Sequence, residues 1–140
     1  MKILLAVDGS DYTRKMLEYV CGHQGLFDTS HEFVLFNAPV PVPPHAKAAV
    51  SSGTVEDYYH DEAQNVLEPA AAALQARGMT VRCEWRAGHT GKTIAHFAEE
   101  GGFDMLVMGS HGHGALARLM IGSVSSEVLA QCRTPVLLIR

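Results

Sequence analysis

Residues 103–126 read FDMLVMGSHGHGALARLMIGSVSS, and this stretch constrains the chain more than any other. A short apolar run of strand type, 105–108, stops at Gly109; glycines follow at 112 and 114, and Gly122 and Ser123 open a segment of helical character. That order is a strand, a loop and a helix start. Glycine lets backbone N–H groups approach an anion closely, and a helix N-terminus adds partial positive charge, so the loop has the make-up of a phosphate cradle. The plain alternative is a tight turn without a ligand, because glycine also serves ordinary turns.

The remaining chain alternates between two periodicities. Residues 3–7 form a continuous apolar run ending at Asp8-Gly9-Ser10, which suits a strand buried on both faces of a parallel sheet. Ser10 is placed to cap a helix in which Met16, Leu17, Val20 and Cys21 fall at helical spacing, and 22–25 ends it. A second strand spans 32–37. Prolines at 39, 41, 43 and 44 then exclude both helix and central strand. A long helix over 55–77 is expected to kink at Pro69 and to stop at Gly78. A third strand follows at 80–86, a helix at 90–100, the fourth strand at 105–108, a helix at 123–131 and a fifth strand at 135–139. Strands alternating with helices, each connection long enough for a crossover, predict a doubly wound α/β fold with a parallel sheet and helices on both faces. Such sheets bind ligands beyond the carboxyl ends of their strands, where strand order reverses.

A chain of 140 residues fits one domain with a proper core. With 47% hydrophobic and 19% charged residues the composition is globular, and a net charge of −4 gives no general attraction to nucleic acid or anionic membrane. Any bound anion must therefore be held locally. The three cysteines, Cys21, Cys83 and Cys132, lie far apart with no CxxC, so the expectation is reduced, buried thiols and neither a disulfide framework nor a zinc site. The apolar run at the N-terminus is too short for a signal-peptide core, and no run approaches membrane-spanning length. A soluble, cytoplasmic protein without nucleic acid or membrane partners is expected.

The spacing Gly109-x2-Gly112-x9-Gly122-Ser123 after a strand resembles the nucleotide-binding signature of the universal stress protein family, in its ATP-binding subgroup. The resemblance runs along the chain, from ILLAVDGS at 3–10 through LVMGSHGHG and GSVSSEV to the closing TPVLLI. It implies a single nucleotide-binding domain over 1–140, Rossmann-like, with five parallel strands in the order 3-2-1-4-5. In that order the reversal lies between strands one and four, so Asp8 and Gly109 face each other across one crevice. It further implies an adenine nucleotide, whether ATP, ADP or AMP. Backbone groups around Ala6, Val7 and Ala38 would frame the adenine, and Asp8 would bind the ribose. Met108, Gly109, His111 and Gly112, with Gly122, Ser123, Val124 and Ser125, would complete the nucleotide site, the glycine loop and His111 lying beside the phosphates. Asn37-Ala38-Pro39 stands where the family usually carries histidine-valine. Magnesium is expected as well, because a triphosphate near so few cations keeps uncompensated charge. A homodimer through the fifth strand, Val136–Ile139, is expected at the sheet edge, and a protein partner of unknown kind is compatible with the sequence.

Other motifs have rival readings. Gly91-Lys92-Thr93 follows a strand and precedes a helix, as the end of a P-loop does, but Arg86 occupies the position of the first glycine, and the alternative is helix entry capped by Thr90. His111 and His113 could form a metal pair, though no acid or cysteine lies beside them and no metal is expected. Asp8 has a second reading as part of a helix-capping turn. Ser110, Ser123, Ser125 and Ser126 cluster near the loop histidines without a visible orienting carboxylate, and Arg118 is the loop's lone fixed cation, so binding without rapid turnover is favoured and no catalytic residue is assigned. The rivals to an ATP-binding regulator are a slow ATPase or phosphotransferase on the same fold, and a nucleotide-free dimerisation module. Valine at Gly112 or Gly122 is expected to abolish nucleotide binding while leaving the fold intact.

Overall fold

Alternation of side chains along buried strands produces two cores here, one on each face of a sheet. The computed structural model describes residues 1–47, 52–112 and 121–140. Its strands are β1 (Lys2–Ala6), β2 (Glu32–Asn37), β3 (Val81–Trp85), β4 (Met105–Gly109) and β5 (Val136–Ile139). Its helices are α1 (Asp11–Gly22), α2 (Pro44–Lys47), α3 (Ser52–Gln75), α4 (Thr90–Glu100) and α5 (Ser123–Gln131). Every strand pairing is parallel, and the order is β3-β2-β1-β4-β5, as the resemblance implies. The sheet therefore reverses direction of growth between β1 and β4.

Ile3 and Leu5 of β1, with Phe33 and Leu35 of β2 and Val107 of β4, face α1 and α3, meeting Met16, Val20, Leu67 and Leu74. Leu4 and Ala6, with Val34, Phe36, Leu106 and Met108, face the other way, onto Ile94 and Ala98 of α4 and Val128 of α5. Each central strand is thus buried on both sides, which is why its sequence is continuously apolar rather than alternating. Among the described residues no helix is long and apolar enough to cross a membrane.

Local chemistry sets most boundaries. Ser10 is the N-cap of α1, its Oγ accepting from Thr13 N–H. Gly78, at φ +78°, ends the turn after α3 in the left-handed conformation that glycine adopts without strain. Four expectations need correction. Pro44 opens the short helix α2, because the first helical position needs no N–H. Helix α3 begins at Ser52, ahead of the expected start, and ends at Gln75, with Pro69 inside it. Thr90 is the first residue inside α4 and His89 holds the cap position, where its side chain makes no capping bond. Of the cysteines only Cys21 is buried, its thiol pKa pushed up by that burial; Cys83 is exposed on edge strand β3 and Cys132 half-buried.

Candidate functional site

The crevice opens where β1 and β4 end side by side. Ala6 pairs with Met108 at the last rung, and beyond it the chain turns into α1 on one side and into the glycine loop on the other. A cavity of about 530 Å³ lies there. Its walls include Ala6, Val7 and Asp8 from the end of β1, Ala38 after β2, and Met108 and Gly109 from β4. His111 and Gly112 of the loop, and Gly122, Ser123, Val124 and Ser125 at the start of α5, complete that set, so all twelve residues singled out from the sequence surround one space.

The loop is stapled to α5 by short-range bonds. Gly122 N–H donates to the Ser110 carbonyl at 2.8 Å, and the Ser125 hydroxyl, 1% exposed, lies 3.1 Å from both the Gly109 and the Ser110 carbonyls. Ser110 N–H in turn donates to Ile139 at the end of β5. Helix α5 makes its first backbone bond from Ser126 to Gly122. The N–H groups of Ser123, Val124 and Ser125 therefore have no intrahelical carbonyl to bind, and Gly122 at the cap has no side chain to offer them. These residues line the cavity, so the helix end that favours anions opens into it.

Glycine is required here by close approach. A Cβ on Gly109 would lie 2.6 Å from Tyr12 Cβ, and one on Gly112 would lie 2.6 Å from Asp8 Oδ2. Asp8 thus faces Gly112 directly, while Gly109 packs against α1. On Gly122 a Cβ would meet the His111 Cα at 3.1 Å and the Ser110 carbonyl at 3.2 Å. That contact is with backbone, so a side chain at 122 would push the loop itself rather than merely fill the cradle. The two glycines expected to behave alike are therefore different.

Asp8 is held on its turn. Its Oδ1 accepts from Ser10 N–H at 2.9 Å and from the Thr13 hydroxyl at 2.8 Å, and its own N–H donates to Thr13 Oγ1 at 3.0 Å. The capping-turn role and a place on the cavity wall are thus both occupied by the same carboxylate. His111 Nδ1 and Ser110 Oγ are 2.9 Å apart, and the His111 ring lies 4.9 Å from that of Tyr12. Ser110 is 3% exposed, which keeps its hydroxyl from acting as an external nucleophile. His113 and Arg118 lie outside the described residues. Among those described, no group of three or more His, Cys, Asp or Glu side chains is arranged to hold a metal, and no lysine or arginine lines the cavity.

The segment 86–93 closes as a helix entry. Arg86 pairs with Glu100 at 2.8 Å and lies over the Phe97 ring, and the Thr93 hydroxyl donates back to His89 O at 2.8 Å. A Cβ on Gly88 would meet that hydroxyl at 2.5 Å. Thr90 Oγ1 lies 3.4 Å from the Ala38 carbonyl, which ties α4 to the cavity rim.

Several cavity residues are not singled out by the sequence motifs. Tyr58, Glu62 and Val66 fall at i, i+4 and i+8 on α3 and present one helix face to the crevice. Their spacing was legible; which face would meet β1 was not. Thr13 and Asn37 also line the cavity, and both are buried polar residues. Asn37 carries the same signal as Asp8, a polar residue closing an apolar strand.

The family model described as the universal stress protein family matches residues 1–140. Universal stress protein Slr1230 of Synechocystis is 32% identical over 139 residues, 99% of this chain and 42% of that protein, so the chain spans less than half of that relative's length. The structure of MJ0577, a universal stress protein of Methanocaldococcus jannaschii, superposes with a TM-score of 0.81 at 27% identity, covering 99% of this chain and 94% of that one. A universal stress protein from Archaeoglobus fulgidus solved in complex with dAMP has a TM-score of 0.70 at 20% identity, covering 100% and 98%; at that identity the likeness is one of fold.

Proposed function

This chain belongs to the universal stress protein family, and on that premise we propose that it is an adenine-nucleotide-binding regulatory protein of the cytoplasm, acting as a homodimer in the stress response. One observation carries the reading: a cavity of about 530 Å³ at the reversal of strand order, into which the N-terminus of α5 and a glycine loop both open. The volume lies within the range of small-molecule and cofactor pockets. Relatives of the same fold solved with cAMP, AMP and dAMP add support.

Each wall has a role in this reading. The N–H groups of Ser123, Val124 and Ser125, with the backbone of Gly109 and Gly112 and the ring of His111, receive phosphate; Asp8 accepts from ribose; Ala6, Val7, Ala38 and Met108 enclose the base. Without a lysine or arginine among the described lining residues, phosphate charge is met by amide dipoles, and a magnesium ion bound together with the nucleotide would supply the remainder. Binding rather than turnover is favoured, since the Ser125 hydroxyl is occupied by two carbonyls and Ser110 is buried. The dimer forms along β5, an edge strand that pairs only with β4 within the sheet.

The test is direct. Purified protein is denatured and the released small molecules identified by mass spectrometry, then the empty chain is titrated calorimetrically with ATP, ADP and AMP, with and without magnesium. Adenine nucleotide bound one per chain is expected, tighter for ATP with magnesium and released unchanged after incubation. No binding under any of these conditions overturns the reading, and rapid release of ADP from ATP moves the protein to the enzymes.

A further inference from the structure

Helices α1 and α3 lie side by side over one face of the sheet, and their facing sides do not close. A Cβ on Gly9, just before α1, would lie 3.4 Å from Val66, and further along the Cys21 thiol donates to the Ala73 carbonyl at 3.9 Å, so the two helices run in the same direction. Between them lies a second cavity, of about 650 Å³, within the range of small-molecule pockets. Cys21 and Ala70, both buried, form its floor; half-buried Leu17 and Val66 form its sides, and Ala73 on the α3 rim is too short to cover it. Thr13 and Val66 line both this cavity and the crevice, and so make the wall that separates the two.

The polar side chains around the groove are nearly all occupied. Ser10 Oγ accepts from Thr13 N–H, the Thr13 hydroxyl donates to Asp8, and Arg14 pairs with Glu18 at 2.7 Å. Asn65 and Arg77 remain, and of these Arg77 alone is charged. Among the described residues no carboxylate lies within ion-pairing distance of Arg77. Its guanidinium stands at the Cys21 end, near enough to oppose the upward push that burial gives that thiol's pKa.

An apolar floor with one uncompensated cation at its end selects a ligand with an apolar body and a single negative charge. A planar guanidinium holds a carboxylate through two parallel N–H bonds. A phosphate dianion would bring more charge than Arg77 answers, with Glu18 on the same rim opposing it. From Thr13 to Cys21 the groove follows α1 for about 12 Å at the helical rise, the reach of a medium-length aliphatic chain. We propose that the groove between α1 and α3 is a second ligand site, distinct from the crevice, that takes a medium-chain monocarboxylate, with its carboxylate on Arg77 and its chain along Leu17, Val66 and Ala70. The site requires no nucleotide in the crevice.

Octanoate and octan-1-ol share a tail length and differ at the head, and titration of each into the full chain, followed through its methyl signals by two-dimensional NMR, tests this. Octanoate should shift the methyls of Leu17, Val66, Ala70 and Ala73 and bind roughly three- to tenfold more tightly than the alcohol. Arg77→Gln should erase that difference and leave the alcohol's affinity as it was. Ala73→Phe, at an exposed helical position, should weaken both ligands by placing a ring in the groove, with a thermal melt confirming the fold. Saturating ATP should leave octanoate bound, since the two lie on opposite sides of the wall made by Thr13 and Val66. Absence of binding, shifts confined to the crevice methyls of Met108 and Val124, displacement by ATP, equal affinity for acid and alcohol, or a preference that survives in Arg77→Gln each overturns the assignment. A chain that takes octanoate in the groove but no nucleotide keeps this site and loses the reading above.

Discussion

Thr13 Oγ1 accepts the backbone N–H of Asp8 at 3.0 Å and donates to Asp8 Oδ1 at 2.8 Å, so one hydroxyl holds both the main chain and the carboxylate of the residue at the centre of the crevice. Thr13→Val keeps the shape and removes both bonds, leaving a part-buried N–H without its acceptor. A loss of about 1–2 kcal/mol in stability is expected, with weaker ATP binding, and Thr13→Ser should restore both. Urea denaturation and calorimetry measure the two effects; a valine variant as stable and as tight-binding as wild type would show that the pair orients nothing.

Gly112 and Gly122 should part company under substitution. At Gly112 the new Cβ meets the end of the Asp8 side chain, which can swing aside, so Gly112→Ala should lower nucleotide affinity while thermal stability changes little. At Gly122 it meets backbone at His111 and Ser110, and Gly122→Val adds two further methyl groups. That variant should lose about 1–3 kcal/mol of stability together with binding. Parallel thermal melts and titrations decide, and a Gly122→Val protein with wild-type melting behaviour contradicts the geometry.

Glu99 clasps the entry to β5. Its carboxylate accepts the backbone N–H groups of Arg133 and Thr134, and the bond from Arg133 is the main reason its pKa is held below the ordinary carboxylate range. A depressed pKa stabilises the fold above the unfolded-state value, and that contribution disappears as pH falls through the folded-state value. Glu99→Gln should therefore melt lower than wild type at neutral pH, and the gap should close in acid. Melting curves of both proteins from neutral to acid pH check this; a gap that stays constant across that range would assign the effect to something other than the charge.

The free side of β5 offers a third class of test. Leu106 N–H donates to the Pro135 carbonyl and Ser110 N–H to that of Ile139, so the odd-numbered residues of this strand face β4 and Leu138 turns its N–H outward. Leu138→Pro removes an edge donor and no rung of the sheet, so it should shift the proposed dimer toward monomer at least tenfold; it also trims a side chain packed on the α4–α5 core, and a thermal melt of the variant checks that the fold is retained. Leu137→Pro removes a rung and should unfold the chain. Lysine at Val136 or Leu138 is a poorer probe, because both side chains pack on the α4–α5 core. Sedimentation equilibrium over a dilution series reads the outcome: a wild-type chain monomeric throughout ends the dimer proposal.

The alternation of continuous apolar runs with helical periodicity, the cap at Ser10, the glycine at 78 and the strand-loop-helix at 105–125 were legible in the sequence because each rests on interactions between near neighbours. Strand count and the alternation of strand with helix follow from such local patterns, and strand order came from the resemblance. The rest depended on which distant residues meet. That Gly112 lies against Asp8 and Gly122 against the His111 backbone, that Tyr58, Glu62 and Val66 turn toward the crevice, and that Asn37 Nδ2 donates to the Val7 carbonyl are outcomes of register and packing between elements far apart in the chain. No local preference encodes them, because a helix or strand of the same sequence can be rotated or shifted without changing its own hydrogen bonds, and only burial of two cores at once selects a single arrangement.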